Sequence, residues 1–229
     1  MIVQQGDNTL DTFGWLRWAE TDYLGARILL LTDLLAQGSA LANTAIEKFL
    51  KAFFSYSGLP VPRGHDVEKL YLDLKAKVPG CKIDLNVEFL NFVTKAYTLR
   101  YPDDLEEGFN IVINQAKVLA QLDRTVQEIG NHLKLELRGK TQRMVLDPSR
   151  ENNDTRYFDR NVAADPSKVS SLFAGKSECC EIRVHRQMII EAFYESDNIP
   201  DDLVFNRPGL NIEPQNPKSF RMAYYKPIE

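Results

Sequence analysis

Five basic or imidazole side chains in the first hundred residues have the chemistry to hold a phosphate group. Guanidinium, ammonium and imidazole groups donate hydrogen bonds to phosphate oxygens, and their positive charge stabilises the anion. If the chain folds so that they converge, they form a pocket for a phosphate-bearing ligand, with one carboxylate beside them. The candidate ligand-binding residues are Asp22, Lys48, Lys51, Arg63, His65 and Arg100.

The same residues also have a structural interpretation, which the sequence leaves open. Asp22 can pair with Lys48 or Arg100 inside a helical bundle, where an ion pair fixes helix register more than it adds stability. Glu47 and Lys51 are four residues apart, the spacing of a surface salt bridge on one helix. His65, with the residue after it, can cap the start of a helix.

Other chemistries find little support. The block AGKS at 174–177 ends like a phosphate-binding loop, but Ser170 stands where that motif requires its first glycine, and no apolar strand precedes it. The three histidines have no metal-ligand spacing, and no GxSxG motif occurs. We therefore expect no metal ion, no cofactor and no hydrolase of that type.

The composition is that of a soluble globular protein. Of 229 residues, 44% are apolar and 26% charged, and the formal net charge of −4 gives no general attraction to nucleic acid. Three cysteines without a CxxC pair indicate a reducing compartment. No signal peptide and no apolar stretch of about 18 residues is present, so we expect a cytoplasmic protein without a membrane span.

Apolar residues recur at helical spacing from Asp11 to about Gly139, and turn-forming residues separate the segments into five helices. The pattern predicts a first helix from Asp11 to Gly38, a second ending at Gly58, and a third capped by Asp66. A fourth begins near Asn86, and a fifth runs from about 110 to 138. Short connections between amphipathic helices favour an all-α, antiparallel up-and-down bundle.

The sequence changes in character after Gly139, and we divide the chain into a bundle at 8–139 and a C-terminal extension at 140–229. Residues 146–161 are polar and rich in turn formers, typical of a linker or surface loop. CEIRVHR at 180–186 alternates like a strand, whereas MIIEAFYE at 188–195 fits a strand or a helix. The last thirty residues hold five of eleven prolines, which favours an extended arm. We expect a mixed, irregular extension packed on the bundle or on a partner subunit.

Four sequence blocks in the bundle resemble the HEPN domain family. They occur in order as WAETDYLGAR at 18–27, AIEKFLKA at 45–52, HDVEKL at 65–70 and LRYPD at 99–103. With the helices that hold them, they cover about residues 11–135. The resemblance implies a bundle of four to five helices, frequently a homodimer, in proteins linked to nucleotidyltransferases, toxin–antitoxin and defence systems, and RNA cleavage.

The resemblance also implies a ribonuclease motif, an arginine followed after four to six residues by a histidine, from which this chain departs. The nearest approximation is Arg124 and His132, with seven residues between them. Eight positions on a helix span about 12 Å, so the two side chains share a face but are too far apart to serve one phosphate easily. Dimerisation could bring His132 of one subunit near Arg124 of the other.

The sequence therefore favours a non-catalytic or degenerate HEPN-like binding module that recognises a nucleotide, RNA or a partner nucleotidyltransferase. A metal-independent ribonuclease and a structural interaction protein are the alternatives. We also expect a homodimer, because the fourth helix carries an apolar band wider than one packing face requires. That band comprises Phe89, Leu90, Phe92, Val93, Ala96, Tyr97 and Leu99.

Overall fold

The computed structural model describes residues 7–133, 135–137, 140–141, 146–186, 188–197 and 219–224. The helices are α1 (Asp7–Leu31), α2 (Leu35–Tyr56), α3 (Val67–Lys77), α4 (Val87–Tyr97), α5 (Gln115–His132), α6 (Leu146–Glu151), α7 (Thr155–Phe158) and α8 (Val169–Leu172). The strands are β1 (Asn110–Asn114), β2 (Glu136–Leu137), β3 (Lys140–Thr141), β4 (Lys176–His185), β5 (Met188–Asp197) and β6 (Ser219–Tyr224). Single 3-10 turns lie at Thr98–Arg100, Pro102–Asp104 and Pro166–Lys168.

Side-chain caps start three of the long helices. Asp66 accepts a hydrogen bond from the Lys69 amide at 2.9 Å and begins α3, as predicted. Asn86 accepts one from the Phe89 amide at 3.1 Å and begins α4, and Asn114 caps α5 in the same way. Each cap provides a partner for an amide that has none within its helix.

The first two helices divide at a different point from the one predicted. The sequence pattern ends the first helix at Gly38, but α1 ends at Leu31 and Gly38 lies inside α2. The break falls at Asp33, whose backbone is left-handed with φ 63°. A Cβ atom at Gly38 would stand 2.7 Å from Leu30 Cγ, so this glycine permits close packing of α2 on the end of α1. Asp11, at which the predicted first helix begins, lies within α1.

The predicted fifth helix begins with a strand. Residues Asn110–Asn114 form β1, antiparallel to β4, with Ile111 facing Ile182 and Ile113 facing Cys180. Ile111 and Ile113 are buried and Val112 is only half-buried, which is the alternation of a strand. Helical and strand patterns coincide over so short a β-branched run, and the partner that decides between them lies about 70 residues away.

The extension is more regular than predicted, because β4 and β5 form a long antiparallel hairpin. The sheet order is β1-β4-β5-β6, so 188–195, which fitted a helix or a strand, is a strand. Cys180 and Ile182 on β4 join the same hydrophobic core as the bundle helices. Residues 146–161, predicted as a linker or surface loop, contain α6 and α7 and pack on α1. The predicted arm falls largely on 198–218 and 225–229, outside the described residues.

The apolar band of α4 is covered within the chain itself. Phe89, Leu90, Phe92, Val93 and Ala96 are all at most 1% exposed. These five residues are buried without a second subunit, and Tyr97 and Leu99 are half-buried. The band therefore gives no argument for the homodimer, which stays a prediction. In the part of the chain that the structure describes, no helix is both long and apolar enough to cross a membrane.

Candidate functional site

The Lys48–Asp22 pair joins α2 to α1. Lys48 Nζ lies 2.5 Å from Asp22 Oδ2, and both side chains are about four-fifths buried. The same ammonium group stands 5.8 Å from the centre of the Trp18 ring, which is 63% exposed. This pair fits the structural interpretation, in which Asp22 fixes the register of two helices. It also places a cation beside an exposed aromatic ring.

Lys51 and Glu47 form a buried pair one turn apart on α2, where the sequence suggested a surface salt bridge. Lys51 Nζ lies 2.6 Å from Glu47 Oε1, and the side chains are only 9% and 6% exposed. The other carboxylate oxygen, Oε2, lies 2.8 Å from His65 Nδ1. Because the Lys51–Glu47 pair is buried, the Glu47 carboxylate is held in a fixed position next to the His65 ring.

His65 is held in place although more than half of its side chain is exposed. Its carbonyl accepts a 3.0 Å hydrogen bond from Asn43 Nδ2, and Asn43 is fully buried in α2. Its ring stacks on Tyr97, with centroids 5.2 Å apart and 24° between the planes. The imidazole is therefore fixed by a carboxylate, an aromatic ring and its own backbone.

Arg100 lies next to the same aromatic ring. Its guanidinium carbon is 4.9 Å from the centre of the Tyr97 ring and 5.8 Å from that of Tyr101. The two tyrosine rings meet edge to face, 6.1 Å apart. Burial and a hydrogen bond with Tyr101 raise the pKa of Tyr97, so the Tyr97 hydroxyl stays protonated near neutral pH. We call the surface formed by His65, Tyr97, Arg100 and Tyr101 the aromatic–cation surface.

The structure brings some of the predicted ligand-binding residues near one another and leaves others apart. Lys51 pairs with Glu47, which in turn contacts His65. Arg100 lies against Tyr97, the ring on which His65 stacks. Lys48 pairs with Asp22 and lies near the Trp18 ring. Arg63 is exposed and lines a separate shallow groove with Gly64, Asp66, Lys69 and other residues at the start of α3. Among the described residues, no aromatic ring lies against its guanidinium group as one does for Lys48, Lys51 and Arg100.

Arg124 and His132 lie on α5, away from the aromatic–cation surface. Glu128 stands one turn before His132, and its carboxylate lies 3.3 Å from His132 Nε2. Arg124 is exposed and lines a groove with Glu128, Asn131 and the loop at Asp84. Glu128 thus lies between Arg124 and His132 in sequence and contacts the His132 ring. Its carboxylate would repel a phosphate group bound by both residues.

Several residues of the site escaped the sequence analysis. Tyr97 was assigned to an apolar band, and Tyr101 was noted only as part of the LRYPD block. Asn43 gave no signal at all, because a single buried amide has no sequence pattern. Glu47 was noted only as the partner of Lys51, since its contact with His65 depends on how the loop before α3 folds back.

A second polar cluster is fully buried and also escaped notice. Arg27 on α1 pairs with Asp123 on α5, and both side chains are 0% exposed. Arg27 also donates to the carbonyls of Arg156 and Asp159, and Tyr23 donates to Asp123 at 2.8 Å. Burial raises the pKa of Asp123 to about 6, although Arg27 acts against the rise. With no exposed atom, this cluster holds the fold together and offers no surface to a ligand.

Comparison with known proteins gives one match. A family model described as the HEPN domain matches residues 14–135, more than half of the chain. No curated protein and no solved structure is detectably similar to the chain. The matched range contains most of α1, all of α2 to α5 and all the residues of the aromatic–cation surface.

Proposed function

The chain belongs to the HEPN domain family, and we propose that it is a binding module that takes a nucleotide, free or within RNA, at the aromatic–cation surface. Membership suggests a function related to nucleotides or RNA. The observation that carries the proposal is Arg100 placed against Tyr97 and Tyr101, beside an immobilised His65. Aromatic faces stack on bases, and arginine binds phosphate oxygens in a planar, bidentate fashion.

The exposure of these groups supports a binding role. Tyr101 is 48% exposed and Arg100 is exposed, so a base and a phosphate can reach both without rearrangement. Stacking on an aromatic side chain contributes about 1–3 kcal/mol per base. A surface of this kind binds a nucleotide through local contacts and does not require a net positive charge on the protein. It is therefore compatible with the formal net charge of −4. Lys48 and Trp18 provide a second cation beside an exposed ring on α1.

Titration calorimetry with ATP and with a short single-stranded RNA tests the proposal. We expect Arg100→Ala and Tyr101→Ala to weaken binding about tenfold or more, since each removes one of the two contact types. Arg150→Ala is a matched control, because Arg150 lies 5.4 Å from the ring of Tyr157 on another part of the surface. Equal losses for Arg100→Ala and Arg150→Ala would contradict the assignment of the site.

The ribonuclease alternative keeps Arg124 and His132 as its candidate residues. The groove beside Arg124 favours it, since it contains polar side chains that could contact a strand, but the pairing of His132 with Glu128 weighs against it. A homodimer, common among HEPN domains, and a nucleotidyltransferase partner also remain proposals. Neither is needed to form the aromatic–cation surface, all of whose residues come from one chain.

A further inference from the structure

The buried Lys51–Glu47 pair has a cost that the stability of α2 alone does not explain. An exposed pair of this spacing contributes little, and removing both charges from water is unfavourable. Here the two side chains are less than a tenth exposed, yet they lie directly beneath an exposed residue. What the arrangement provides is a fixed carboxylate oxygen at 2.8 Å from His65 Nδ1.

This carboxylate decides which nitrogen of His65 carries the proton. A carboxylate can only accept hydrogen bonds, so in the neutral imidazole the proton lies on Nδ1 and points to Glu47. Lys51 Nζ donates to the other oxygen of Glu47 and so holds the carboxylate group in place. Nε2 is then left with a lone pair, and no described residue forms a hydrogen bond with it. With a side chain 59% exposed, His65 presents a hydrogen-bond acceptor to solvent.

Nε2 of His65 and the guanidinium group of Arg100 require two different kinds of group on the ligand, a hydrogen-bond donor and an acceptor. Arg100 and His65 contact the same ring, Tyr97, so one ligand can reach both. Phosphate oxygens are acceptors, which suits Arg100 and does not suit a neutral Nε2. The hydroxyl groups of ribose can donate hydrogen bonds. In an RNA strand the 2′-hydroxyl lies next to the 3′-phosphate, and in a free nucleotide the hydroxyls and the 5′-phosphate are carried by the same sugar. The 2′-hydroxyl is also the group by which proteins distinguish RNA from DNA.

We propose that His65, held by Glu47 and Lys51, accepts a hydrogen bond from a ribose hydroxyl of the bound nucleotide and makes the site selective for ribonucleotides. This inference rests on the proposed function, since it assumes a nucleotide at the aromatic–cation surface. Free ribonucleotide and RNA share the chemistry in question. Because the His65 ring is already fixed in the free protein, less entropy is lost when the ligand binds. A single hydrogen bond can then distinguish ribose from deoxyribose.

The test compares ribose with deoxyribose ligands. Affinities of the full chain are measured for ATP and dATP, and for one mixed-sequence single strand made as RNA and as DNA. We expect a ribose preference on the order of tenfold, the size of one good hydrogen bond. The two pairs of probes separate a site for the free nucleotide from one for a strand.

Two variants identify the residue responsible. His65→Ala should reduce the preference to within about twofold while Arg100 still binds phosphate, and Glu47→Gln, which frees the tautomer, should lower it part of the way. His185→Ala is the matched control, because His185 is an equally exposed histidine, 3.2 Å from Glu107. Equal affinity of the wild type for both sugars, or a preference that survives His65→Ala, would overturn this inference alone. No binding of any probe would overturn the proposed function itself.

Discussion

Arg27 and Asp123 form a fully buried ion pair that joins α1 to α5, and the same arginine binds two carbonyls of the extension. The first half of the chain is thereby tied to residues 156–159. Removing one partner of such a pair leaves a charge and several polar atoms buried without partners. We expect Arg27→Leu to lower the free energy of unfolding by about 3–5 kcal/mol in urea denaturation.

Replacing both partners should restore part of this loss. In Arg27→Leu/Asp123→Leu neither charge of this pair remains, although the carbonyls of Arg156 and Asp159 still lack their donor. We expect the double variant to be more stable than Arg27→Leu alone, because apolar replacements of buried pairs are often nearly neutral. If the double variant were less stable than the single one, the ion pair would not be the source of the loss.

The stability of the wild type should also depend on pH through Asp123. Burial raises the pKa of Asp123 to about 6, above its ordinary value of 3.8, so the folded state binds the proton more tightly than the unfolded chain. Its contribution is fully present below about pH 4 and is lost as the pH rises through about 6. Relative to the double variant, the wild type should lose stability between pH 4 and 6. A constant difference would contradict this.

Two helical glycines should respond to alanine in opposite ways. At Gly38 a Cβ atom would stand 2.7 Å from Leu30 Cγ and 3.0 Å from its backbone nitrogen, so Gly38→Ala should destabilise the protein by about 1–3 kcal/mol. At Gly14, also inside a helix, a Cβ atom meets nothing within 4 Å. Gly14→Ala should stabilise by up to about 1 kcal/mol through helix propensity. Thermal unfolding of the two variants measures both effects.

RNA cleavage should be absent, and binding should not depend on the residues of α5. His132 pairs with Glu128, and Arg124 lies two turns from it. We expect the wild type to leave a labelled single-stranded RNA intact without metal, and Arg124→Ala and His132→Ala to bind it as the wild type does. Metal-independent cleavage that disappears in a folded His132→Ala variant would establish the ribonuclease alternative.

A homodimer should use a surface other than α4. Leu10 and Trp18 are 64% and 63% exposed and lie eight residues apart on α1, on the same face of the helix. We expect light scattering to give the mass of a dimer at micromolar concentration and Trp18→Glu to give a monomer. A monomeric wild type would remove the homodimer from the proposal.

The sequence by itself determined the helical bundle, because amphipathic spacing and capping residues are local signals. Asp66 and Asn86 begin helices where the sequence places them, and the four blocks around Asp22, Lys48, His65 and Arg100 identify the family. The division of the chain into 8–139 and 140–229 stays a prediction. Local signals suffice where a residue's role depends on neighbours three or four positions away.

Only the tertiary structure decided the features that depend on distant partners. The sequence of residues 110–114 fits a helix, and pairing with β4 makes it a strand. The sequence of α4 indicates a surplus of apolar residues, most of which other elements of the chain bury. The sequence indicates only that Glu47 pairs with Lys51 at the surface. The contact between Glu47 and His65, 18 residues later in the chain, depends on how the loop before α3 folds. Strand pairing, burial and ring stacking are contacts between residues far apart in sequence, and no periodicity records them.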